Sequence, residues 1–380
     1  MGHSRVRPVT MAQVAEDAGV SLPTVSRVIT GSAPVTDRTK QTVLRSIESL
    51  GYHPNPMASG LSRGYANTIL AIIPRLTEPS STMRLDGLIG VLRRAPYELH
   101  VVGLERPVTE RLRTIGEIVL QNRPAGVVAI SVPTDDDDQR RFIEAGVQVV
   151  LVDSESSALP SDTTDDVAGG ELATRHLVAL GHRRIGFIGD CEEDTIGVPA
   201  SASRRLGFER TMSAAQLPVR PEYVLSAPHG AEAAGRLAHQ LFALDVPPTA
   251  IFAASDVQAS GVLSAARSAG LRVPHNLSVI GFDDVTVASM LGLTTIRQPL
   301  EVSGRRAGIR LLGLLGHDAG EDMPELPPLK LVVRDTTAPL ALTSPRSLFG
   351  ASTDASNSVA QVSDGFDSAS RQDDPVPRRK

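Results

Sequence analysis

The chain has 380 residues, of which 41% are apolar, and a formal net charge of −5, so it is long enough for two or three globular domains. Its one cysteine, Cys191, excludes an internal disulfide framework and fits a reducing compartment. No stretch has the pattern of a signal peptide or the apolar length that spans a bilayer, so we expect a cytoplasmic protein without a membrane partner.

The charge is unevenly distributed along the chain. Residues 1–65 hold seven basic and four acidic residues, whereas residues 344–380 hold five of each. The region between them therefore carries a charge of −8. A basic N-terminal segment on an acidic body is expected of a protein that binds DNA through that segment.

The segment from Thr10 to Thr30 predicts two short helices joined by a tight turn. Thr10 and Gln13 have the spacing of a capping box, and Gly19 suits the turn because glycine adopts a positive φ at little cost. Ser21 can cap the second helix, which has an apolar face formed by Val25, Val28 and Ile29. This pattern fits a helix-turn-helix whose second helix enters the major groove of DNA, and it fits an αα-corner equally well.

A third helix is predicted to begin at residues 35–37 and to end at Gly51, and a proline-rich segment follows it. The sequences VAEDAGVSLPTVSRVI and SLGYHPNPMASGLSRG closely resemble the lactose-repressor (LacI) family. This resemblance covers residues 9–340. It implies a homodimeric transcriptional repressor that binds a near-palindromic DNA operator and responds to a small effector, a sugar or sugar derivative.

The same resemblance assigns DNA contacts to the headpiece and to a hinge helix after it. The implied contact residues are Thr10, Ser21, Leu22, Pro23, Thr24, Ser26, Arg27, Asn55, Ala58 and Leu61. Leu61 has no apparent core to enter, and in the family a hinge leucine wedges into the minor groove and kinks the operator. A flexible linker with an incidental leucine is the alternative interpretation.

From residue 68 onward, unbroken apolar strands alternate with helices, a pattern that requires parallel sheets covered on both faces. The first set is predicted as strands 69–74, 98–104, 126–130 and 147–153 with helices 85–94, 109–121 and 136–145. The second set is predicted as strands 184–189, 222–226, 249–255 and 277–284 with helices 168–180, 201–215, 230–243 and 256–269. Segment 294–299, helix 300–315 and strand 329–333 complete the body.

The predicted fold is an all-α helix-turn-helix headpiece plus an α/β, two-lobed, periplasmic-binding-protein-like core of doubly wound parallel sheets. The predicted lobes are joined by crossings near 154–164 and 292–299. The expected domains are the headpiece (1–51), the hinge and linker (52–67), the effector-binding and dimerisation domain (68–343) and a disordered tail (344–380). The tail is rich in Ser, Asp and Arg and has no leucine heptad, so we expect disorder there and a dimer without a C-terminal coiled coil.

Ligands of such folds bind at the carboxyl ends of the strands, in the cleft between the lobes. The candidate ligand-binding residues there are Asp153, Arg204, Ser255, Asp256, Asp283 and Gln298. The resemblance implies that the acid after the fourth strand, Arg204 and Asp283 bind ligand hydroxyls or polar edges. The alternative is that aspartates such as Asp153 and Asp256 are helix caps or turn residues.

The sequence departs from the family in the first loop, where Ser80 and Ser81 stand in place of paired aromatic residues. Sugar pockets commonly stack a ring on an aromatic side chain, so a pyranose effector is less expected than in a typical member.

No catalytic triad, phosphate-binding loop or metal-ligand spacing appears, so neither an enzyme nor a cofactor is expected. The run 135–138 of four aspartates is interpreted as a solvated helix start rather than a metal site. The alternative function is a cytoplasmic small-molecule-binding protein of the same fold without a role on DNA.

Overall fold

The computed structural model describes residues 9–30, 33–52, 67–104, 115–191 and 200–340. The predicted hinge residues Asn55, Ala58 and Leu61 lie outside the described residues, as does the predicted tail. In the described ranges, no helix combines the length and the apolar character that crossing a membrane requires.

The headpiece consists of helices α1 (Met11–Asp17), α2 (Leu22–Thr30) and α3 (Asp37–Leu50). The capping box predicted at the start of α1 is present, since Thr10 and Gln13 each bind the other's backbone N–H. A small core of apolar residues holds the three helices together: Val14, Ala15, Ala18, Val25, Val43 and Tyr52. Because Tyr52 is buried with them, the packed headpiece reaches one residue beyond the predicted boundary at 51.

Lobe 1 is built on the parallel strands β1 (Thr68–Ile73), β2 (Glu98–Gly103), β3 (Gly126–Ile130), β4 (Gln148–Val152) and β5 (Ser161–Asp162). Their order in the sheet is β2-β1-β3-β4-β5. Four helices cover the two faces of this sheet: α4 (Pro79–Leu92), α5 (Ile115–Asn122), α6 (Asp136–Glu144) and α12 (Leu300–Leu314). Alternate residues of β1 pack against α4 and α12 on one face and against α5 and α6 on the other.

Lobe 2 repeats this arrangement with strands β6 (Ile185–Asp190), β7 (Val224–Ala227), β8 (Ala250–Ala253) and β9 (Ser278–Ile280) in the order β7-β6-β8-β9. Its helices are α7 (Asp166–Ala179), α8 (Ala200–Ala214), α9 (Ala231–Phe242), α10 (Asp256–Ser268) and α11 (Thr286–Met290). An antiparallel ribbon of β10 (Thr295–Arg297) and β11 (Lys330–Val332) continues the edge beyond β9.

Within the described residues the chain crosses between the lobes three times, whereas the sequence predicted two crossings. Helix α12 packs on α4 in lobe 1, although the strands before and after it, β10 and β11, pair on the side of lobe 2. The third crossing therefore follows α12. The apolar stripe of a helix shows that it packs against a sheet but not which of two similar sheets it covers.

Apart from the hinge helix, which lies outside the described residues, the predicted elements are present, with shifts at their ends. Helix α4 begins at Pro79 rather than at residue 85, because proline fits the first helical position, where its missing N–H costs nothing. The strand predicted at 277–284 is limited to Ser278–Ile280. The short elements β5 and α11 were not predicted, and the predicted start of helix 109–121 falls outside the described residues.

Candidate functional site

A cavity of about 120 Å³ lies between the two lobes, at the carboxyl ends of their strands. Lobe 1 lines it with four charged residues: Arg75, Glu78, Arg84 and Asp153. Lobe 2 lines it with four more: Asp190, Arg204, His229 and Asp283. The cavity is therefore walled by charges of both signs from both lobes, and a ligand in it would contact the two lobes together.

Five of the six predicted ligand-binding residues line this cavity: Asp153, Arg204, Ser255, Asp283 and Gln298. Asp256 does not line it. Its buried carboxylate accepts hydrogen bonds from the Val285 N–H at 2.9 Å and from the Thr295 hydroxyl at 2.6 Å. Asp256 thus ties the loop after β9 to β10, which corresponds to the turn-residue interpretation and not to ligand binding.

Arg204 is the buried cation of lobe 2. Its Nε donates to Asp166 at 2.8 Å, and its Nη1 donates to the carbonyl of Ala254 at 2.6 Å and lies 3.6 Å from Asp283. Its guanidinium stacks 3.8 Å from the ring centroid of Phe282. Burial alone would lower the pKa of Arg204, but the charges of Asp166 and Asp283 raise it, so the side chain stays protonated.

Arg84 is the buried cation of lobe 1, and sequence reasoning missed it. Its Nη2 donates to Asp153 at 3.1 Å and to the side-chain carbonyl of Gln298 at 3.2 Å. Burial alone would raise the pKa of Asp153, but the charges of Arg84 and Arg204 hold it below its ordinary value. The sequence does contain a signal, since Arg84 shares the spacing of Leu88 and Val91 on the buried face of α4.

The two arginine–aspartate pairs occupy equivalent places in the two lobes. Arg84 lies in the helix after β1 and Asp153 follows β4, whereas Arg204 lies in the helix after β6 and Asp283 follows β9. Strands β4 and β9 hold the same position in their sheets, two strands from β1 and β6. The cleft is thus formed by two related half-sites that face each other.

A charged triad joins the lobes at the cleft. His229 Nδ1 lies 3.0 Å from Asp190 in its own lobe, and its Nε2 lies 3.0 Å from Glu78 of lobe 1. The second contact is an ion pair without hydrogen-bond geometry. Burial alone would lower the pKa of His229, but Asp190 and Glu78 raise it to about 10. The imidazole is therefore protonated at neutral pH and connects two carboxylates across the cleft.

No Phe or Tyr side chain is available to stack on a ligand ring, since none among the described residues lines the cavity. Ser80 and Ser81, in the first turn of α4, line it instead. The described side chains that line the cavity offer hydrogen bonds and charge to a ligand and no Phe or Tyr ring.

The run of four aspartates begins α6. Asp135 caps the helix by accepting the N–H of Asp138 at 2.7 Å, and Asp138 accepts the N–H of Gly116 at 2.8 Å. The run is therefore a helix start, and Asp135, Asp136 and Asp137 are exposed as predicted. The prediction of a solvated residue is wrong for Asp138, which is buried against the N-terminus of α5. Among the described residues, no group of three or more His, Cys, Asp or Glu side chains could hold a metal ion.

Helix α2 exposes both polar and apolar side chains on the face that points away from the headpiece core. Leu22 is 49% exposed, and Pro23 and Arg27 are also exposed, whereas Val25 is buried in the headpiece core. The hydroxyls of Ser21 and Thr24 are 2.8 Å apart at the helix start. An exposed N-terminal half on a helix anchored by its other face is the geometry of a recognition helix.

Comparison with known proteins decides the family. Residues 10–55 match the family model described as bacterial regulatory proteins, lacI family, and residues 174–337 match the model of the periplasmic binding protein-like domain. The HTH-type transcriptional repressor CytR of Escherichia coli (strain K12) is 30% identical over 337 residues, which cover 87% of this chain and 97% of that protein. The chain belongs to the LacI family of bacterial regulatory proteins.

Solved structures of LacI-family members share the fold of this regulator. The Lac repressor dimer bound to operator and the anti-inducer ONPF superposes with a TM-score of 0.72 and 27% identity, covering 87% of this chain and 100% of that one. The transcriptional regulator CelR–cellobiose complex superposes with a TM-score of 0.59 and 27% identity, covering 86% of this chain and 99% of that one. The predicted family and fold class are thereby confirmed, and the chain is a transcriptional regulator with a DNA-binding headpiece.

Proposed function

We propose that this regulator is a repressor that binds a near-palindromic operator as a homodimer and changes its operator affinity when a small effector binds between the lobes. The observation that carries this proposal is the combination, in one chain, of an outward-facing recognition helix and a charged cavity walled by both lobes. A protein that works on chromosomal DNA in this way acts in the cytoplasm.

The proposed DNA contacts of the headpiece are Thr10, Ser21, Leu22, Pro23, Thr24, Ser26 and Arg27. Arg27 can donate two hydrogen bonds to a guanine edge, whereas Leu22 and Pro23 offer apolar contact with base edges or thymine methyl groups. Base readout therefore rests mainly on Arg27, and the hydroxyl residues near the helix start are suited to phosphate. Asn55, Ala58 and Leu61 keep their hinge role as a prediction that rests on the family resemblance.

The proposed effector contacts are Asp153, Arg204, Ser255, Asp283 and Gln298. Closure of the lobes around a ligand would change the orientation of lobe 1 relative to lobe 1 of the second subunit in the dimer. This reorientation would order or release the hinge. The operator- and anti-inducer-bound Lac repressor and the cellobiose-bound CelR support an effector in this cleft.

An electrophoretic mobility shift assay with fragments of the source genome tests the proposal. We expect the full chain to retain a small set of fragments in the presence of excess unrelated DNA. We expect Arg27→Ala, which changes an exposed residue on α2, to weaken that selection. Uniform, salt-sensitive retention of all fragments, or none at all, would favour the alternative of a small-molecule-binding protein without a role on DNA.

A further inference from the structure

We propose that the effector is an acid, a small polar molecule that carries a carboxylate or phosphate group, and that Arg84 is the residue that binds this group. The inference rests on the proposed effector role of the cleft. It names the chemical class of the ligand and adds a specificity-determining residue to the site.

The first observation is an unused donor on a buried cation. Arg84 is 2% exposed, and its Nε–H has no acceptor although its Nη2 is bound by Asp153 and Gln298. Its counterpart in lobe 2, Arg204, donates through Nε to Asp166. A buried guanidinium N–H without a partner is costly, so Arg84 is suited to an acceptor that enters the cavity.

The second observation is that the groups of the cavity without a hydrogen-bond acceptor are donors. In the ranges that the structure describes, the two such buried side-chain nitrogens are Arg84 Nε and His229 Nε2, and both residues line this cavity. His229 Nε2 already lies 3.0 Å from Glu78 in an ion pair, so the Arg84 Nε–H is the buried donor that a ligand oxygen can satisfy.

The third observation is that the carboxylates of the cavity are already engaged by the protein. Asp153 accepts from Arg84 and from the Ser131 hydroxyl at 3.0 Å, and Asp283 accepts from Gln298 at 2.6 Å. Asp190 accepts from Gln258 at 2.9 Å and pairs with His229. The protein thus already supplies a cation or an amide to each of these carboxylates, whose remaining lone pairs can accept ligand hydroxyls. The Arg84 Nε–H, in contrast, has no acceptor in the protein and is open to an acidic group of the ligand.

The size and the lining of the cavity restrict the rest of the ligand. A volume of about 120 Å³ corresponds to roughly ten ordered waters, which is room for a molecule the size of a monosaccharide with one acidic group. Planar fork donors such as guanidinium bind carboxylate and phosphate oxygens more strongly and more specifically than they bind hydroxyls. A sugar acid and a sugar phosphate both satisfy these conditions.

Isothermal titration calorimetry of the full chain with two matched sets of ligands tests the proposal. One set is D-glucose, D-gluconate and D-glucose 6-phosphate, and the other is D-ribose, D-ribonate and D-ribose 5-phosphate. We expect an acidic member of at least one set to bind, and its neutral counterpart to bind at least about ten-fold more weakly. Comparison of the sugar acids with the sugar phosphates identifies which acidic group the cleft binds.

Arg84→Met should weaken binding of that acid by about 10- to 100-fold, and Arg84→Lys should restore part of the affinity because it keeps the charge without the fork. Arg93→Met removes an equal charge from the exposed end of the same helix and should leave the affinity unchanged. If Arg84→Met leaves Asp153 unpaired and fails to fold, Arg84→Met/Asp153→Asn removes both charges and should lose the acid equally.

Binding of the neutral sugars as tightly as the acids, binding of none of the acids, or an unchanged affinity in Arg84→Met would overturn the proposal. Operator binding is measured on the same preparation without ligand. Intact operator binding without recognition of an acid refutes the ligand class alone, whereas absent operator binding refutes the proposed function.

Discussion

Arg27 is exposed on the outward face of α2, where its guanidinium can reach base edges while Val25 anchors the helix in the core. We predict that Arg27→Ala lowers affinity for the preferred operator by about 1–3 kcal/mol and narrows the spread of affinities among operator variants, because a bidentate contact to guanine is lost. Fluorescence anisotropy with a set of single-base operator variants measures both effects.

The control for that experiment is Arg45→Ala, which removes the same charge from the exposed side of α3. It should leave the ranking of operator variants unchanged. If Arg27→Ala instead weakens every sequence by the same factor, Arg27 contacts phosphate and the specificity lies elsewhere on the headpiece.

Asp283 is buried between Arg204 and Gln298 and has a φ of +111°, a region that asparagine tolerates better than alanine. We predict that Asp283→Asn abolishes the change in operator affinity that a bound effector causes and leaves the effector-free affinity nearly unchanged. A competition assay with and without the acid identified by calorimetry measures this. A large drop in melting temperature together with weaker effector-free DNA binding would show that Asp283 has a purely structural role.

At the level of single residues, the sequence located the cavity lining where a residue follows a strand. Asp153 and Asp283 line the cavity because the carboxyl ends of parallel strands meet at the cleft; their ligand role stays a prediction. Asp256 follows a strand in the same way, yet the loop after β9 covers it, and a sequence does not show which loop folds back. Arg84 and His229 were missed because their roles arise from contacts with residues that are distant in the chain.

Two helix pairs that border the cleft, α4 with α12 and α7 with α8, pack closely because glycine lies at each contact. A Cβ on Gly87 would overlap the carbonyl oxygen of Glu301, and a Cβ on Gly304 would overlap that of Arg84. In lobe 2, Gly170 lies in the same way against the backbone of Arg204. These contacts place the two arginines of the cleft, so the glycines set the geometry of the site.

We predict that Gly87→Ala destabilises the chain by about 1–3 kcal/mol or more, because the methyl group pushes α4 away from α12. Gly90→Ala is the matched control on the same helix. A Cβ there meets nothing within 4 Å, so alanine should be neutral or stabilising by about 0.5–1 kcal/mol. Urea denaturation of both variants measures the difference, and equal stabilities would contradict the close-packing argument.

For the elements themselves, periodicity was sufficient to predict nearly all helices and strands. The two short ones, β5 and α11, have two and five residues and carry too little pattern to be recognised. The start of α4 was also misplaced, since Ser80 and Ser81 resemble a loop until the proline before them is interpreted as a first helical residue.

For the whole molecule, the His229 triad connects the lobes and makes their association dependent on pH. The pKa of His229 rises from 6.5 to about 10 in the folded chain, so its contribution to stability is fully present below pH 6.5 and is lost as the pH rises to 10. Compared with His229→Gln, the wild-type chain should therefore lose stability with rising pH in this window.

Melting temperatures of both proteins between about pH 6.5 and about pH 10 test this, since one bound proton corresponds to at most about 1.4 kcal/mol per pH unit. The difference between the wild type and the variant should shrink steadily across the window. A difference that does not change with pH would show that His229 is not charged in the folded state.

The claim that this regulator reads a specific operator through α2 is tested most directly by selection from a pool of random DNA duplexes. The full chain is incubated with duplexes that carry a random window of about 20 base pairs, long enough for two half-sites, and the bound fraction is sequenced after several rounds. We predict convergence on a near-palindrome whose half-sites each contain a guanine that the Arg27→Ala variant no longer selects. Recovery of sequences with no common motif would contradict it.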